Sequence, residues 1–548
     1  MKIRKFVALL IAFIMMMSMF SVSAFADTWS SVTNDTTGIT VSVSSETEYL
    51  NIAEAASGAG YDYIISSSVS GYFPQAFSMQ VSNTSATVSG TNNASFIFEN
   101  GTYGLVTMGS SSSILTVTLG SDSFTIYVPA PVYSGATSTG LVAYLPAYGQ
   151  YTNEGVTTGG WGDAYVSGNS GLKSMIDNRA TTGISLGSFG GYVVYQFANG
   201  ITNNPNHPYG VDFIVYGNAF NNNAEPGCVQ VSVDGNIWYD LAGSRHYQDA
   251  DWDAYALYTN PTPANDSSSS APQAGTFLGD KTTQSYSTDS GSVTITHNAF
   301  HNHSWYPLYA NYFTARTSGA TELANRTLCQ KPSDAGATNN DFLTYTTYDG
   351  TNASTVKLTG TRIPFLGGSG SYYTFGYFDV HANGSTIGTA VNPYAATATS
   401  SGGDGFDLSW AVDKYGNPVD IGTVNYVRLY TGVAAMGTSS AFGEASSEVT
   451  GIYVVTDTSG SGSPATPNVK VVGTEVTTIN GGVTPRTVYS TTTNVTVISS
   501  ADHIYINGEA ATSGTAKSIA TPTGTTYVQI ITQSGTEAPY LTVLALTK

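Results

Sequence analysis

Short runs of β-branched and aromatic residues recur along the chain, among them GITVSVS, SILTVTLG, SFTIYVPA and YVVYQF, and clusters of Gly, Asn, Ser and Asp cut them apart. Successive side chains of a strand point to opposite faces, so such runs bury one face or both and stop where a turn residue bends the backbone. A 3.6-residue apolar period is nearly absent. The pattern therefore predicts an all-β chain of several β-sandwich domains. A length of 548 residues sets a prior of about three or four domains.

Charge narrows the partners. Only 10% of residues are Asp, Glu, Lys or Arg, against about a quarter in an ordinary soluble protein. Ser, Thr, Gly, Asn and 37 Tyr take their place, a surface suited to neutral polar ligands. The formal charge is -19, which repels phosphate, and no basic stripe is present, so nucleic acid is excluded as a partner. Acidic groups on such a chain can instead gather divalent cations.

Residues 1–26 carry Lys2, Arg4 and Lys5, then an apolar run, then SAFA with cleavage expected after Ala26. This reads as a secretory signal peptide and predicts an extracellular or cell-surface location. An uncleaved anchor is the lesser alternative, and no second membrane-length stretch follows. Domain boundaries are expected at 27–135 for an N-terminal Ig-like sandwich, 140–457 for a central unit with an insertion at about 245–400, 458–468 for a linker, and 469–548 for a small C-terminal sandwich. TDTSGSGSPATPN supplies the linker composition. In the central unit, Asp234-Gly235 is a two-residue hairpin signal.

The segments EPGCVQVSVDGNIWYDLAGS, NYVRLYTG and SSEVTGIYVV together resemble the discoidin-like, galactose-binding jelly roll. The order of SLGSFGGYVVYQF, FIVYGNAF, FHNHSWYP, LTGTRIP, DGFDLSWAVDKYGNPVD and FGEASSEVTG is similar, over roughly 280 residues, to a family of bacterial secreted cell-surface proteins. That resemblance implies a surface-exposed ligand-binding role and no established reaction. Where such proteins carry a Trp ahead of the G-E-x-S-x-E segment, this chain has Phe442.

Jelly rolls of this type commonly hold a structural Ca²⁺ at one end, and the resemblance points to Asp404, Asp407 and Glu448 as its ligands, in stretches that also hold Asp413, Asp420 and Glu444. The alternative is turn chemistry, since Asp and Asn stabilise turns by bonding their own backbone. A glycoside hydrolase would need a carboxyl pair such as Glu225 with Asp251 or Asp253; no G-x-S-x-G, P-loop or H-E-x-x-H motif is present. Cys228 and Cys329 either form a disulfide across the insertion or remain two buried thiols.

HNAFHNHSWYP places His297, His301 and His303 on one face of an extended segment. The nearby Asn, Ser, Trp and Tyr lack the carboxylate a zinc site usually recruits, so a packing or ligand-contact role is expected. Sugars stack on aromatic rings while their hydroxyls meet Asn, Asp and backbone groups, and this predicts carbohydrate or a similar polar ligand at Trp252, His301, Trp305, Tyr306, Tyr372 and Tyr373. Capture of a small nutrient such as cobalamin, which needs one deep pocket, and a purely structural adhesion or spacer role are the other classes.

Overall fold

The computed structural model describes residues 30–149, 183–259, 283–296, 355–435 and 445–547, with short breaks inside these ranges. The expected signal peptide, His297, His301, His303, Trp305, Tyr306, Cys329, Phe442 and Glu444 lie outside the described residues.

The chain is all-β, with eight sheets among the described residues, and its helices there are three-residue 3₁₀ turns such as Gly370–Tyr372 and Leu408–Trp410. No helix among them is long and apolar enough to cross a membrane. The chain divides into two compact units, 1–134 and 135–548.

The first unit holds two five-stranded sheets. Ser113–Leu119 and Asp122–Val128 pair antiparallel from Leu119↔Asp122 to Ser113↔Val128. Their two-residue connection needs a left-handed residue, and Gly120 supplies it at φ 64. Along these strands the residues alternate between buried and half-buried, so Leu115, Val117, Phe124, Ile126 and Val128 all enter one apolar core with Val41, Met79 and Ile65.

In the second unit, a six-stranded sheet runs Gly140–Leu145, Tyr192–Thr202, Thr423–Thr431, Gly227–Ser232, Tyr239–Leu241, Ala411–Val412. Tyr192–Thr202 and Thr423–Thr431 are paired on both edges, and almost every residue of YVVY and VRLY is buried, so both faces of the sheet are covered there. Asp234-Gly235 does not make a two-residue hairpin. Pairing closes at Val231↔Tyr239, and the wider turn is held because Ser232 Oγ accepts the Asp234 and Gly235 N–H groups while Asp234 Oδ1 accepts Ile237 N–H.

Strands within the insertion, Asp251–Thr259, Thr283–Thr288, Gly291–Thr296 and Thr355–Arg362, form a four-stranded sheet. Ala254, Ala256 and Tyr258 alternate inward and pack with Tyr192, Val194 and Tyr430 of the six-stranded sheet in one core. A three-stranded sheet of Asp404–Phe406, Phe213–Tyr216 and Gly451–Val454, and a two-stranded pair of Ile184–Ser185 with Glu448–Val449, complete this region.

The C-terminal residues build a four- and a five-stranded sheet around Val469, Val495, Ile506, Val528 and Leu544. They belong to the same compact unit as the central sheets. Tyr505 Oη donates to Tyr394 O at 2.6 Å and Asn392 Nδ2 to Gln533 Oε1 at 3.0 Å. The 458–468 segment is bonded on both sides: Gly460 N–H donates to Asn206 O, and Ser461 bridges to Glu537.

Candidate functional site

Glu225, Asp379 and Glu448 meet in the interior of the second unit, each offering a carboxylate oxygen within 4.8 Å of the others. Glu225 stands two residues ahead of Gly227–Ser232, and Glu448 opens the short strand Glu448–Val449, paired with Ser185. Asp379 adopts φ 60, a left-handed conformation uncommon outside glycine. Its carboxylate explains the geometry. Oδ1 accepts N–H from Asn218 at 2.7 Å and Ala219 at 2.8 Å, and Oδ2 accepts Glu448 N–H at 2.9 Å. Gly217 must lack a side chain here, since a Cβ would stand 2.3 Å from Asp379 Oδ1.

Glu225 is tied in from both ends. Its N–H donates to Asp379 O, its Oε1 accepts Ser446 N–H at 3.2 Å, and its carbonyl accepts Ser447 Oγ–H at 2.7 Å. Burial, then the Asp379 charge, pushes the Glu225 carboxyl up to about 8. Burial also pushes Asp379 up to about 7, against the lowering effect of its backbone N–H donors. Three carboxyls this close and this buried must either hold protons or face a cation. The donor set is all oxygen, without His or Cys, which suits a hard divalent ion over zinc. The cluster is thus compatible with a metal-binding site.

Of the three residues the sequence points to as calcium ligands, only Glu448 belongs to this cluster. Asp404 lies 2.7 Å from His381 Nδ1 and accepts Val380 N–H, while Asp407 caps the Leu408–Trp410 turn through Ser409 N–H. Asp413 closes the turn before Pro418 by accepting Asn417 N–H at 2.8 Å, and Asp420 is exposed. Turn and cap chemistry therefore claims Asp407 and Asp413. Glu225 joins the cluster, whereas Asp251 ion-pairs with Arg362 at 2.7 Å on the insertion sheet. Asp253, the alternative partner for Glu225, is exposed, so the structure brings neither aspartate into the Glu225 cluster.

The aromatic residues also divide. Tyr372 is 49% exposed, its ring lying beside Gly367. Tyr373 is fully buried, its hydroxyl donating to Pro364 O and accepting Leu366 N–H, so it packs the core and presents no face to a ligand. Trp252 is half-buried, edge-on to His246 and Tyr247 and against Gly416. Cys228 is a buried free thiol in the six-stranded sheet, and burial raises its pKa well above the usual thiol value, with the Asp240 charge adding to the effect.

Asp379 escaped the sequence reading. Its signal was the acid within GYFDVHA, a charge inside an otherwise apolar run. The class defined by fold and site is an all-β, multi-sheet protein with a sealed acidic cluster. No protein-family model matches the chain, and no curated protein does.

Proposed function

We propose that the chain is a secreted or cell-surface binding protein whose central region is a discoidin-like module, stabilised by a structural Ca²⁺ and recognising a neutral polar ligand such as carbohydrate. The observation that carries this reading is the sealing of Glu225, Asp379 and Glu448 inside the fold. A substrate has no access to carboxyls buried to that degree, so their chemistry serves the fold. Seven oxygens or so complete a Ca²⁺ shell, and the trio together with neighbouring backbone groups supplies ligands of the right hardness. Support for a neutral ligand comes from the low charge of the chain and from Tyr372, a large ring left in solvent on the loop ahead of a buried aromatic run.

The test has two arms on residues 27–548. Elemental analysis and melting with and without chelator read the cation: calcium at about one equivalent and a lower midpoint in chelator support it, and an unchanged midpoint with no metal found discards it. A glycan array run beside a cobalamin-binding assay reads the ligand. Glycan binding weakened about 5- to 100-fold in Tyr372→Ala supports the reading. Binding of cobalamin alone favours nutrient capture, and no ligand in either assay favours a spacer.

A further inference from the structure

A bulge interrupts Tyr192–Thr202. Its pairing with Thr423–Thr431 runs to Gln196↔Tyr426 and resumes at Ile201↔Val424, so residues 197–200 stand opposite Asn425 alone. Extra residues of this kind leave the ladder and turn outward. Asn199 is the exposed member of the bulge, and no hydrogen bond engages its side chain among the described residues. Gly200 follows at φ 70, where an added Cβ would stand 2.6 Å from Thr423 Cγ2. The bulge therefore requires glycine there, and glycine shields its own amide nitrogen less than any other residue.

An unshielded amide beside an asparagine side chain is a nucleophile beside an electrophile. Gly200 N attacks Asn199 Cγ, and the new C–N bond closes a five-membered succinimide. The Gly200 amide proton is lost to solvent, the Cγ–Nδ2 bond breaks, and ammonia leaves. Water then opens either carbonyl of the ring, giving aspartate or isoaspartate. Nothing is oxidised or reduced, and water is the one co-reactant. The side chain must rotate toward the next amide for ring closure, so each native hydrogen bond that holds it slows the step by about 2- to 10-fold.

Three other Asn-Gly pairs lie among the described residues, at 383, 480 and 507. Each is held. Asn383 Nδ2 donates to Gly217 O at 2.6 Å and to Thr450 Oγ1 at 3.3 Å. Asn480 Oδ1 accepts Leu541 N–H at 2.9 Å, and Gly481 N–H, the nucleophile itself, donates to Leu541 O. Asn507 Oδ1 accepts Gln529 N–H at 2.7 Å.

We propose that Asn199 is a site of spontaneous covalent modification, converting to aspartate and isoaspartate through a succinimide with Gly200, while native hydrogen bonds protect Asn383, Asn480 and Asn507. The product puts a negative charge on the bulge. Isoaspartate also adds one methylene to the backbone just ahead of the Ile201↔Val424 pair. The modification depends on neither the cation nor the ligand of the proposed function.

The test incubates residues 27–548 in mildly alkaline buffer and withdraws samples over weeks. Chymotryptic cleavage after Phe197 and Tyr209 isolates the site, mass spectrometry reads the change from amide to acid at all four pairs, and labelling by an isoaspartyl methyltransferase reads isoaspartate. Asn199 should convert about 2- to 10-fold faster than Asn507, which one bond holds, and faster still than Asn383 and Asn480. In strong denaturant the four rates should converge, because the bonds that separate them are gone. In Asn199→Gln, whose ring closure is disfavoured, the 198–209 peptide should keep its mass. A native rate at Asn199 no greater than at the other three overturns the proposal. So does a spread that persists unchanged in denaturant, which assigns it to neighbouring sequence, or a mass gain that survives in Asn199→Gln, which assigns it to Asn203, Asn204 or Asn206.

Discussion

The N-terminal sandwich and the central region are made of the same kind of strand, yet their interiors differ. Within the described residues of the first unit, Ser113 is the one buried polar residue, and the rest of the core is aliphatic or aromatic. All eight buried carboxylates of the described chain lie from Asp212 to Glu448, and His207, His246 and His381 are buried in the same unit. An apolar core needs only the hydrophobic effect and good packing to hold it. A core that contains acids is held by networks that must be complete, and each one is a place where an ion, a proton or a ligand can enter the balance. Among the described residues, the first unit rests on apolar packing, and the second rests on packing and on completed polar networks.

The sharpest way to break that contrast is Asp379→Ala. It leaves the N–H groups of Asn218, Ala219 and Glu448 without their acceptor, and should destabilise the second unit by about 3–5 kcal/mol. Calorimetry should show one transition lowered and the other unmoved; a joint shift would show that the two units melt as one. The reciprocal variant is Ile126→Ala, in the apolar core of the first unit. Its cost of about 2–5 kcal/mol should fall on the first unit alone and be the same in chelator and in calcium.

Proton linkage gives the next effect. Glu225 and Asp379, with folded pKa values of about 8 and about 7, hold protons in the folded chain that an unfolded chain has already released. The folded state therefore binds more protons, and stability falls as pH rises toward 8. His246, which burial keeps neutral down to about pH 3 from an ordinary value of 6.5, works in the opposite sense below that ordinary value, so the window to read lies above it. In chelator the second unit should lose about 2–3 kcal/mol between neutral and mildly alkaline pH, with Glu225 and Asp379 titrating as one set. Calcium should flatten the profile, because a bound cation keeps the carboxylates ionised. A profile equally steep with and without calcium would separate the trio from any metal. The smallest effect belongs to Tyr372→Ala, which should change melting by less than about 0.5 kcal/mol, whereas Tyr373→Ala, one position along, should cost about 3–5 kcal/mol.

That neighbouring pair marks how far the sequence could be read. Runs such as SILTVTLG and SFTIYVPA declared their strands and even their buried face, because alternation is a local property. GSYYTFGYF did not declare which rings face solvent, since a 3₁₀ turn at Gly370–Tyr372 breaks the alternation just where it was needed. The acidic cluster was legible in part. Glu448 stood out as the acid leading a late strand, but Glu225 and Asp379 join it only through pairings between segments far apart in the chain. Asp404 and Asp407 looked equally suitable in their Gly-rich stretch, and only the folded backbone shows that one orients an imidazole and the other caps a turn.

The strand order of the six-stranded sheet sets a timetable for synthesis. Thr423–Thr431 lies between Tyr192–Thr202 and Gly227–Ser232 and is their shared partner. It is made about 190 residues after the second of them is finished, a delay of roughly 10–40 s at ordinary elongation rates. Throughout that interval two strongly apolar strands have bare edges, the surface most open to pairing with a neighbouring chain. A growing copy of this protein is therefore most vulnerable in mid-synthesis, and a holding factor would need to cover YVVYQF and CVQVSV until the late strand arrives.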